Sequence, residues 1–240
     1  MTGPTEFDWL LTQLSEHPTN VGTFVPQSFE CHLRVMHPAY TVDWWGARTK
    51  VRWAEIATAM GSTVPSLLRG LRHGGRPPQS ANGDLYCDEL ARQLWHRRPE
   101  LGILPFDDCL SLSAILAYHT ATSRELFLGM WEGYAGLQYP SDTLATLLLP
   151  YHRRYHICAR AIDKVCRTFV AHEHPVNPDD RIYQVPNIWR PKDRAWYVAT
   201  EIDYTWTYVG CSRACFDAIL ACDQLEAIPT SPTEGNFAER

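Results

Sequence analysis

The stretch that decides the fold prediction runs from Asn187 to Gly210 and reads NIWRPKDRAWYVATEIDYTWTYVG. Its even positions from 196 to 208 hold Trp, Val, Thr, Ile, Tyr, Trp and Tyr, whereas its odd positions from 199 on hold small and acidic residues. A period of two is that of a β-strand, whose successive side chains point to opposite faces. We therefore predict one long strand or a tight strand pair here, with the carboxylates of Glu201 and Asp203 together on the face opposite the core.

Helix and strand signals are mixed along the rest of the chain. Helices are expected at 51–60, 84–97, 107–118, 162–171 and after Ser212, and strands at 125–131 and 154–161. Apolar side chains at helical spacing and capping residues carry the helix predictions. Because no regular strand–helix–strand spacing is present, we predict an α+β fold with a mostly antiparallel sheet flanked by helices.

The chain length suits one large domain. We expect a single α+β domain over 1–228 and a disordered tail over 229–240, whose sequence is polar and rich in turn-forming residues. The alternative is a division into a helical front half, 1–120, and a strand-rich back half, 121–228.

Composition excludes several classes of protein. The net charge of -5, with basic residues scattered among acidic ones, argues against nucleic-acid binding. The one basic cluster, Arg69 to Arg76, is typical of a loop. No apolar run approaches the roughly 20 residues of a membrane span, and the N-terminus lacks signal-peptide features. The eight cysteines form no CxxC motif, so we expect free thiols and a cytoplasmic protein without a membrane partner.

The carboxylates of Glu201 and Asp203 are the candidate catalytic groups. Alternate strand residues project to the same side, so the pair could act as a general acid and base or bind a metal. The alternative is a solvated strand face, or ion pairing with Arg190, Lys192 and Arg194 in the preceding turn.

Tryptophan and arginine residues supply a candidate binding surface, in a chain that has nine tryptophans. These residue types dominate the energetics of protein interfaces. The residues assigned to this Trp/Arg corner and its neighbourhood are Trp131, Trp189, Arg190, Asp193, Arg194 and Trp196. The alternative is a stacked, hydrogen-bonded corner that closes the sheet, because aromatic side chains beside a strand ordinarily pack into the core.

Metal and thiol chemistry have only partial signals. His152 and His156 stand four residues apart, and His172 and His174 form a second partial set, but neither has a third and fourth ligand. We therefore predict no metal and no cofactor. Cys211, at the start of the last helix, is either a nucleophile activated by the helix dipole or a small packed residue.

Several motifs resemble those of a group of actinobacterial hypothetical proteins. The motifs are Pro26-x-x-Phe29, Arg34-x-x-His37-Pro38, Val51 to Ala57, Gly129-x-Trp131-Glu132-Gly133-Tyr134, and Trp189-x-Pro191-x-Asp193 through Asp203 followed by Thr207 to Gly210. The resemblance runs from about residue 20 to 230 and implies a bacterial cytoplasmic protein. Where the group has a second glycine after Gly210, this chain has Cys211. No activity is assigned to the group, so no functional residue is carried over.

Two functions are therefore expected from the sequence, and whether the chain is an enzyme is left open. The first is a non-catalytic protein-binding or regulatory protein, similar to bacterial immunity proteins, whose partner is another protein or a second copy in a homodimer. The second is a hydrolase or transferase that uses Glu201 and Asp203 on a small anionic substrate held by Arg194.

Overall fold

An eight-stranded antiparallel sheet forms the centre of the described chain. The structure is a computed structural model that describes residues 5–15, 20–65, 94–171 and 182–235. Its strands are β1 (Cys31–Met36), β2 (Ala39–Val42), β3 (Arg48–Val51), β4 (Leu126–Trp131), β5 (Leu137–Gln138), β6 (Ala145–Leu148), β7 (Arg154–Arg160), β8 (Phe169–Ala171), β9 (Ile182–Gln184), β10 (Ile188–Pro191), β11 (Tyr197–Ala199), β12 (Trp206–Cys211) and β13 (Ala227–Thr230). Its helices are α1 (Asp8–Gln13), α2 (Trp53–Ala59), α3 (Phe106–Tyr118) and α4 (Arg213–Leu220), with 3-10 turns at Thr5–Phe7, Val21–Thr23 and Ile162–Arg167.

The strand order of the large sheet is β13-β1-β12-β11-β10-β4-β7-β6, and every neighbouring pair is antiparallel. The hairpin β2–β3 and the three-stranded sheet β5-β8-β9 stand apart from it. The predicted α+β class with a mostly antiparallel sheet is therefore confirmed. Among the described residues, no helix combines the length and the apolar composition that crossing a membrane requires.

The decisive stretch forms three adjacent strands, β10, β11 and β12. The strand pair is β11 with β12, in which Tyr197 lies opposite Gly210 and Ala199 opposite Tyr208. The predicted division into one core face and one opposite face was wrong, because all residues of β12 are buried. One face of β12 packs with the cluster that contains Leu10 of α1, and the other packs with the cluster formed around α3 and α4.

The proposed boundary near residue 120 does not divide the sheet. Strand β1 comes from the front half, yet it lies between β12 and β13 of the back half.

The C-terminal segment is ordered further than predicted. Pro229 and Thr230 pair with β1, Gly235 bridges to Asn20, and Glu234 forms a 2.8 Å ion pair with Arg34. These main-chain and charge contacts order residues 229–235; residues 236–240 lie outside the described chain.

Most of the predicted elements that fall on described residues are present. The helices over 51–60 and 107–118 and the helix capped by Ser212 are confirmed, the last with the Ser212 hydroxyl accepting from the Cys215 amide. The helix over 162–171 was wrong: a 3-10 turn there leads into β8, whose pairing with β5 and β9 replaces helical hydrogen bonds. Most of the helix over 84–97, and Arg69 to Arg76, lie outside the described residues.

Candidate functional site

Glu201 and Asp203 do come together, but through an arginine rather than through strand alternation. Both lie in the turn between β11 and β12, so their predicted position on a strand was wrong. Nη2 of Arg153 lies 2.9 Å from Oε1 of Glu201 and 3.3 Å from Oδ2 of Asp203. The predicted ion-pair partners Arg190, Lys192 and Arg194 are replaced by an arginine from the turn before β7.

The two carboxylates have different environments. The Glu201 side chain is 8% exposed, whereas that of Asp203 is 64% exposed. Burial raises the pKa of Glu201 above its usual value, although Arg153 opposes the shift. The Arg153 guanidinium also lies 5.5 Å from the centroid of the Trp131 ring, which places Trp131 in this cluster. A carboxyl with a raised pKa beside an exposed carboxylate is an arrangement that can transfer a proton.

The Trp/Arg corner is largely buried, so its prediction as a binding surface is corrected. The rings of Trp189 and Trp196 are fully buried and pack edge to face with centroids 5.4 Å apart. The indole Nε1 of Trp196 donates to the carbonyl oxygen of Leu116 in α3. These rings join the sheet to α3 and cannot contact a partner while the fold is intact.

Arg190 is also buried, and aromatic rings surround it. Its guanidinium lies 4.5 Å from the Phe127 ring centroid and 4.9 Å from that of Phe7, and it donates to the Glu6 carbonyl oxygen at 2.5 Å. Burial lowers the pKa of Arg190 to about 10. A cation held between two rings anchors the N-terminal segment to the sheet.

Asp193 and Arg194 are the exposed members of the corner. The Asp193 carboxylate accepts from the amide of Ala121 at 2.7 Å and from the hydroxyl of Thr120, which orders the turn after β10. The Arg194 guanidinium lies 5.1 Å from the Trp9 ring centroid. The corner therefore corresponds to the alternative interpretation, a stacked and hydrogen-bonded closure of the sheet.

The histidines considered as partial metal sites occupy different structural environments. His152 lies in the turn before β7 with a positive φ of 61°, and His156 lies on β7 with its ring 4.2 Å from that of Tyr139. Within the described ranges, no group of three or more His, Cys, Asp or Glu side chains is placed to hold a metal ion. His172 and His174 lie outside those ranges.

Cys211 is a packed residue rather than an exposed thiolate. It is the last residue of β12, and Ser212 separates it from the first turn of α4. Its side chain is fully buried, and a hydrogen bond with the Cys215 thiol, together with burial, raises the pKa of Cys211 well above its usual range. A protonated and inaccessible thiol cannot act as a nucleophile.

We therefore expect Cys211 to resist alkylation in the folded protein. Iodoacetamide should modify Cys222, which is half-buried, while leaving Cys211 unmodified until denaturant is added. Peptide mass spectrometry after a timed reaction measures both sites in one sample, so Cys222 is the internal control. Modification of Cys211 at the rate of Cys222 in the native protein would contradict the assignment.

Among the described residues, two adjacent and strongly exposed aromatic side chains lie elsewhere, at the tip of the β2–β3 hairpin. Trp44 is 82% exposed and Trp45 is 75% exposed, and their ring centroids lie 3.7 Å apart. We call β2, β3 and their connecting turn the Trp hairpin. Tryptophan side chains are mostly buried in folded proteins, so two adjacent exposed indoles indicate a surface with a function.

The turn of the Trp hairpin is held by its own polar groups. Oδ1 of Asp43 accepts from the amides of Trp45 at 3.0 Å and Ala47 at 2.8 Å. Gly46 adopts a φ of +88°, which suits glycine, and its amide donates to the Asp43 carbonyl oxygen. The indoles therefore stand on an ordered turn and not on a loose loop.

Basic residues and a cleft lie beside the Trp hairpin. Arg48 on β3 and Arg97, which bridges to Tyr40 on β2, are both exposed. A cleft of about 520 Å³ lies between β2–β3 and the start of α3. Lys50, on the wall of this cleft, forms an ion pair with the buried carboxylate of Asp108. Burial raises the pKa of Asp108 above its usual value, although Lys50 opposes the shift.

Sequence reasoning missed the Trp hairpin although a signal was present. The tetrad Asp43-Trp44-Trp45-Gly46 combines two turn-forming residues with two consecutive large rings. Two neighbours in a strand point to opposite faces, so both indoles cannot pack on one core unless the turn folds back.

Comparisons of the chain with protein-family models, with curated proteins and with solved structures each found no match.

Proposed function

We propose that this chain is a non-catalytic protein-binding or regulatory protein of the bacterial cytoplasm, and that the Trp hairpin is its contact surface. The observation that carries the proposal is the pair of exposed indoles on an ordered turn, Trp44 and Trp45. Bacterial immunity and regulatory proteins are the nearest class by analogy.

Energetics favour this surface over the buried corner. A large aromatic side chain buries roughly 150–250 Å² in an interface, and Trp and Arg are the residue types most enriched at interface hot spots. Because Asp43 already orders the turn, binding costs less conformational entropy than it would for a flexible loop. The indoles are therefore preorganised for insertion into an apolar pocket.

The charge beside the indoles selects the class of partner. Arg48 and Arg97 are exposed near the base of the Trp hairpin, although the whole chain carries a net charge of -5. Both guanidinium groups lie close enough to Glu100 to oppose the raised pKa of its carboxyl, and the carboxylate of Asp43 lies in the turn itself, so the charge around the indoles has both signs. We therefore expect a protein partner whose apolar pocket is bordered by charges of both signs.

The double substitution W44A/W45A should strongly weaken partner binding without unfolding the chain. The two changes remove exposed side chains, so the fold loses little, whereas the interface loses its anchors. We expect the Kd to rise at least about 100-fold, which corresponds to about 3 kcal/mol. Tagged wild-type and variant proteins are used to identify a partner by quantitative mass spectrometry, and the Kd is then measured by calorimetry with the purified partner.

Tyr118→Ala is the matched control for that experiment. Tyr118 is also a highly exposed aromatic residue, but it stands alone at the end of α3. The Tyr118→Ala substitution should leave the Kd unchanged. This result would separate a specific role of the Trp hairpin from a general effect of exposed aromatic side chains. A purified partner that binds W44A/W45A as tightly as the wild type removes the Trp hairpin from the interface and overturns the proposal.

The second candidate is the hydrolase or transferase function at Glu201 and Asp203. The observation that favours it is the contrast between a buried carboxyl with a raised pKa and an exposed neighbour. Native mass spectrometry of the gently purified protein tests it. A bound anionic small molecule that is lost in Glu201→Gln supports this candidate, whereas a mass equal to that of the chain alone counts against it.

A further inference from the structure

Two buried cysteines meet where the first turn of α3 packs against the 3-10 turn at Ile162–Arg167. Sγ of Cys109 lies 2.7 Å from Sγ of Cys166, although the two residues are 57 positions apart in the sequence. Cys109 is fully buried, and Cys166 is 4% exposed. The fold therefore brings two thiols from distant parts of the chain into direct contact, with one of them at the edge of solvent.

Both elements that carry these thiols are held by their own main-chain hydrogen bonds. In α3, the Cys109 amide donates to the Pro105 carbonyl oxygen at 2.8 Å. At the start of the 3-10 turn, the Ile162 amide donates to the Ser123 carbonyl oxygen, also at 2.8 Å. The length of a disulfide bond is about 2.05 Å, so a bond between Cys109 and Cys166 requires their sulfurs to approach by less than about 1 Å.

The two thiols have different environments, which assigns them different chemistry. Burial and the neighbouring Cys166 raise the pKa of Cys109, and the carboxylate of Asp108 acts in the same direction. A hydrogen bond from Cys109 lowers the pKa of Cys166 against the effect of burial, with help from the positive charge of Arg167. The thiolate is the nucleophilic form of cysteine. Cys166 is therefore the attacking sulfur, and Cys109 is the thiol that can resolve its oxidised form.

We propose that Cys109 and Cys166 form a redox pair, which a peroxide converts into an intramolecular disulfide and a small thiol such as glutathione reduces again. The Cys166 sulfur attacks one peroxide oxygen, the O–O bond breaks, and a sulfenic acid and the first water form. The Cys109 sulfur then attacks the Cys166 sulfur, the S–O bond breaks, and the Cys109 proton leaves with the hydroxyl group as the second water. Each sulfur loses one electron, and hydrogen peroxide gains two.

The disulfide would join α3 to the 3-10 turn and close a long loop of the chain. A cross-link across a loop of this length restricts the unfolded chain and raises the temperature of unfolding. Asp108, the residue before Cys109, pairs with Lys50 on β3 of the Trp hairpin. Oxidation therefore also restrains the end of α3 to which the Trp hairpin is joined by a partly buried ion pair.

Peroxide treatment of the folded chain, followed by peptide mass spectrometry, tests the pair directly. Hydrogen peroxide is removed, and N-ethylmaleimide is present during denaturation so that free thiols cannot exchange. Digestion without a reductant should yield one peptide pair linked through Cys109 and Cys166, and reduced glutathione should reverse the link. Calorimetry of the oxidised and reduced chains should show a Tm that is higher by at least about 5 °C after oxidation.

Cys109→Ala removes the resolving thiol and separates the two steps. Peroxide should leave Cys166 of this variant as a sulfenic acid that dimedone traps, and the rise in Tm should be lost; Cys166→Ala should lose the rise as well. Cys158→Ala is the matched control, because Cys158 is equally buried but lies on β7. It should keep both the disulfide and the rise in Tm. A wild-type Cys166 that stays a thiol, proceeds to sulfinic acid or links to another cysteine overturns the proposal.

Discussion

Replacing Gly102 by alanine is expected to lower the free energy of unfolding by about 4 kcal/mol. Gly102 adopts a φ of +73°, where an L-residue is strained by roughly 1–2 kcal/mol. A Cβ at this position would overlap the main chain of Ile202, including its carbonyl oxygen. Since backbone cannot move aside as a flexible side chain can, relief requires a shift of the turn that carries Glu201.

That shift would also break hydrogen bonds that depend on Gly102. Its amide donates to the Tyr204 carbonyl oxygen at 2.8 Å, and its own carbonyl oxygen accepts from the Tyr134 hydroxyl and from Nδ2 of Asn187. Asn187 is fully buried and also accepts from the Trp131 amide with Oδ1. Gly102 is therefore the point of close main-chain approach in a network that joins its own segment to those of Tyr134, Asn187 and Tyr204.

Gly61→Ala is the matched control, because it isolates the strain from the overlap. Gly61 has a similar φ of +62°, but an added Cβ there would meet nothing within 4 Å. Its loss of stability should be about 1 kcal/mol. Guanidinium chloride denaturation of both variants measures the difference, and equal losses would show that the approach of Ile202 to Gly102 has no energetic consequence.

The period of two predicted strand structure correctly because it is a local property, but the even positions do not share one face. Trp196 and Val198 lie in the cluster around α3 and α4, whereas Trp206 and Tyr208 lie in the cluster with Leu10. Positions 196 to 208 alternate whether or not anything covers the second face. The burial of both faces could not be predicted from this segment, since the covering elements are α1 near the N-terminus and α3 and α4 further along the chain. Likewise, the order of β13 depends on pairing with β1, which is far away in sequence.

The candidate site shows the same division between residue type and position. Tryptophan and arginine content led to a predicted binding surface that included Trp189, but Trp189 lies in the core. Exposure is decided by tertiary packing, which composition does not contain. The Asp43 and Gly46 turn signal around Trp44 and Trp45 is local and indicates a turn, but no prediction was based on it and the Trp hairpin was missed.

The carboxylate pair gives the second large expected effect on stability. The structure gives the two groups different degrees of burial. Glu201→Ala should lower the free energy of unfolding by about 2 kcal/mol, because it leaves the partly buried Arg153 with only an exposed partner. Asp203→Ala should cost less than about 0.5 kcal/mol, as is usual for an exposed ion pair. Urea denaturation of both variants measures the difference, and equal losses would contradict it.

Comparing the wild type with Glu201→Gln at several pH values should show whether ionisation of Glu201 raises or lowers the free energy of unfolding. The pKa of Glu201 is raised in the folded state, so the folded state binds this proton more tightly than the unfolded state does. The resulting stabilisation is fully present below the unfolded pKa and is lost as the pH rises through the folded pKa. Glutamine cannot titrate, so the stability of the wild type relative to Glu201→Gln should increase as the pH falls through this range. Subtracting the two pH profiles cancels the other carboxyl groups, and a difference that decreases toward acid would instead mean that Arg153 outweighs burial and that Glu201 is held as a carboxylate.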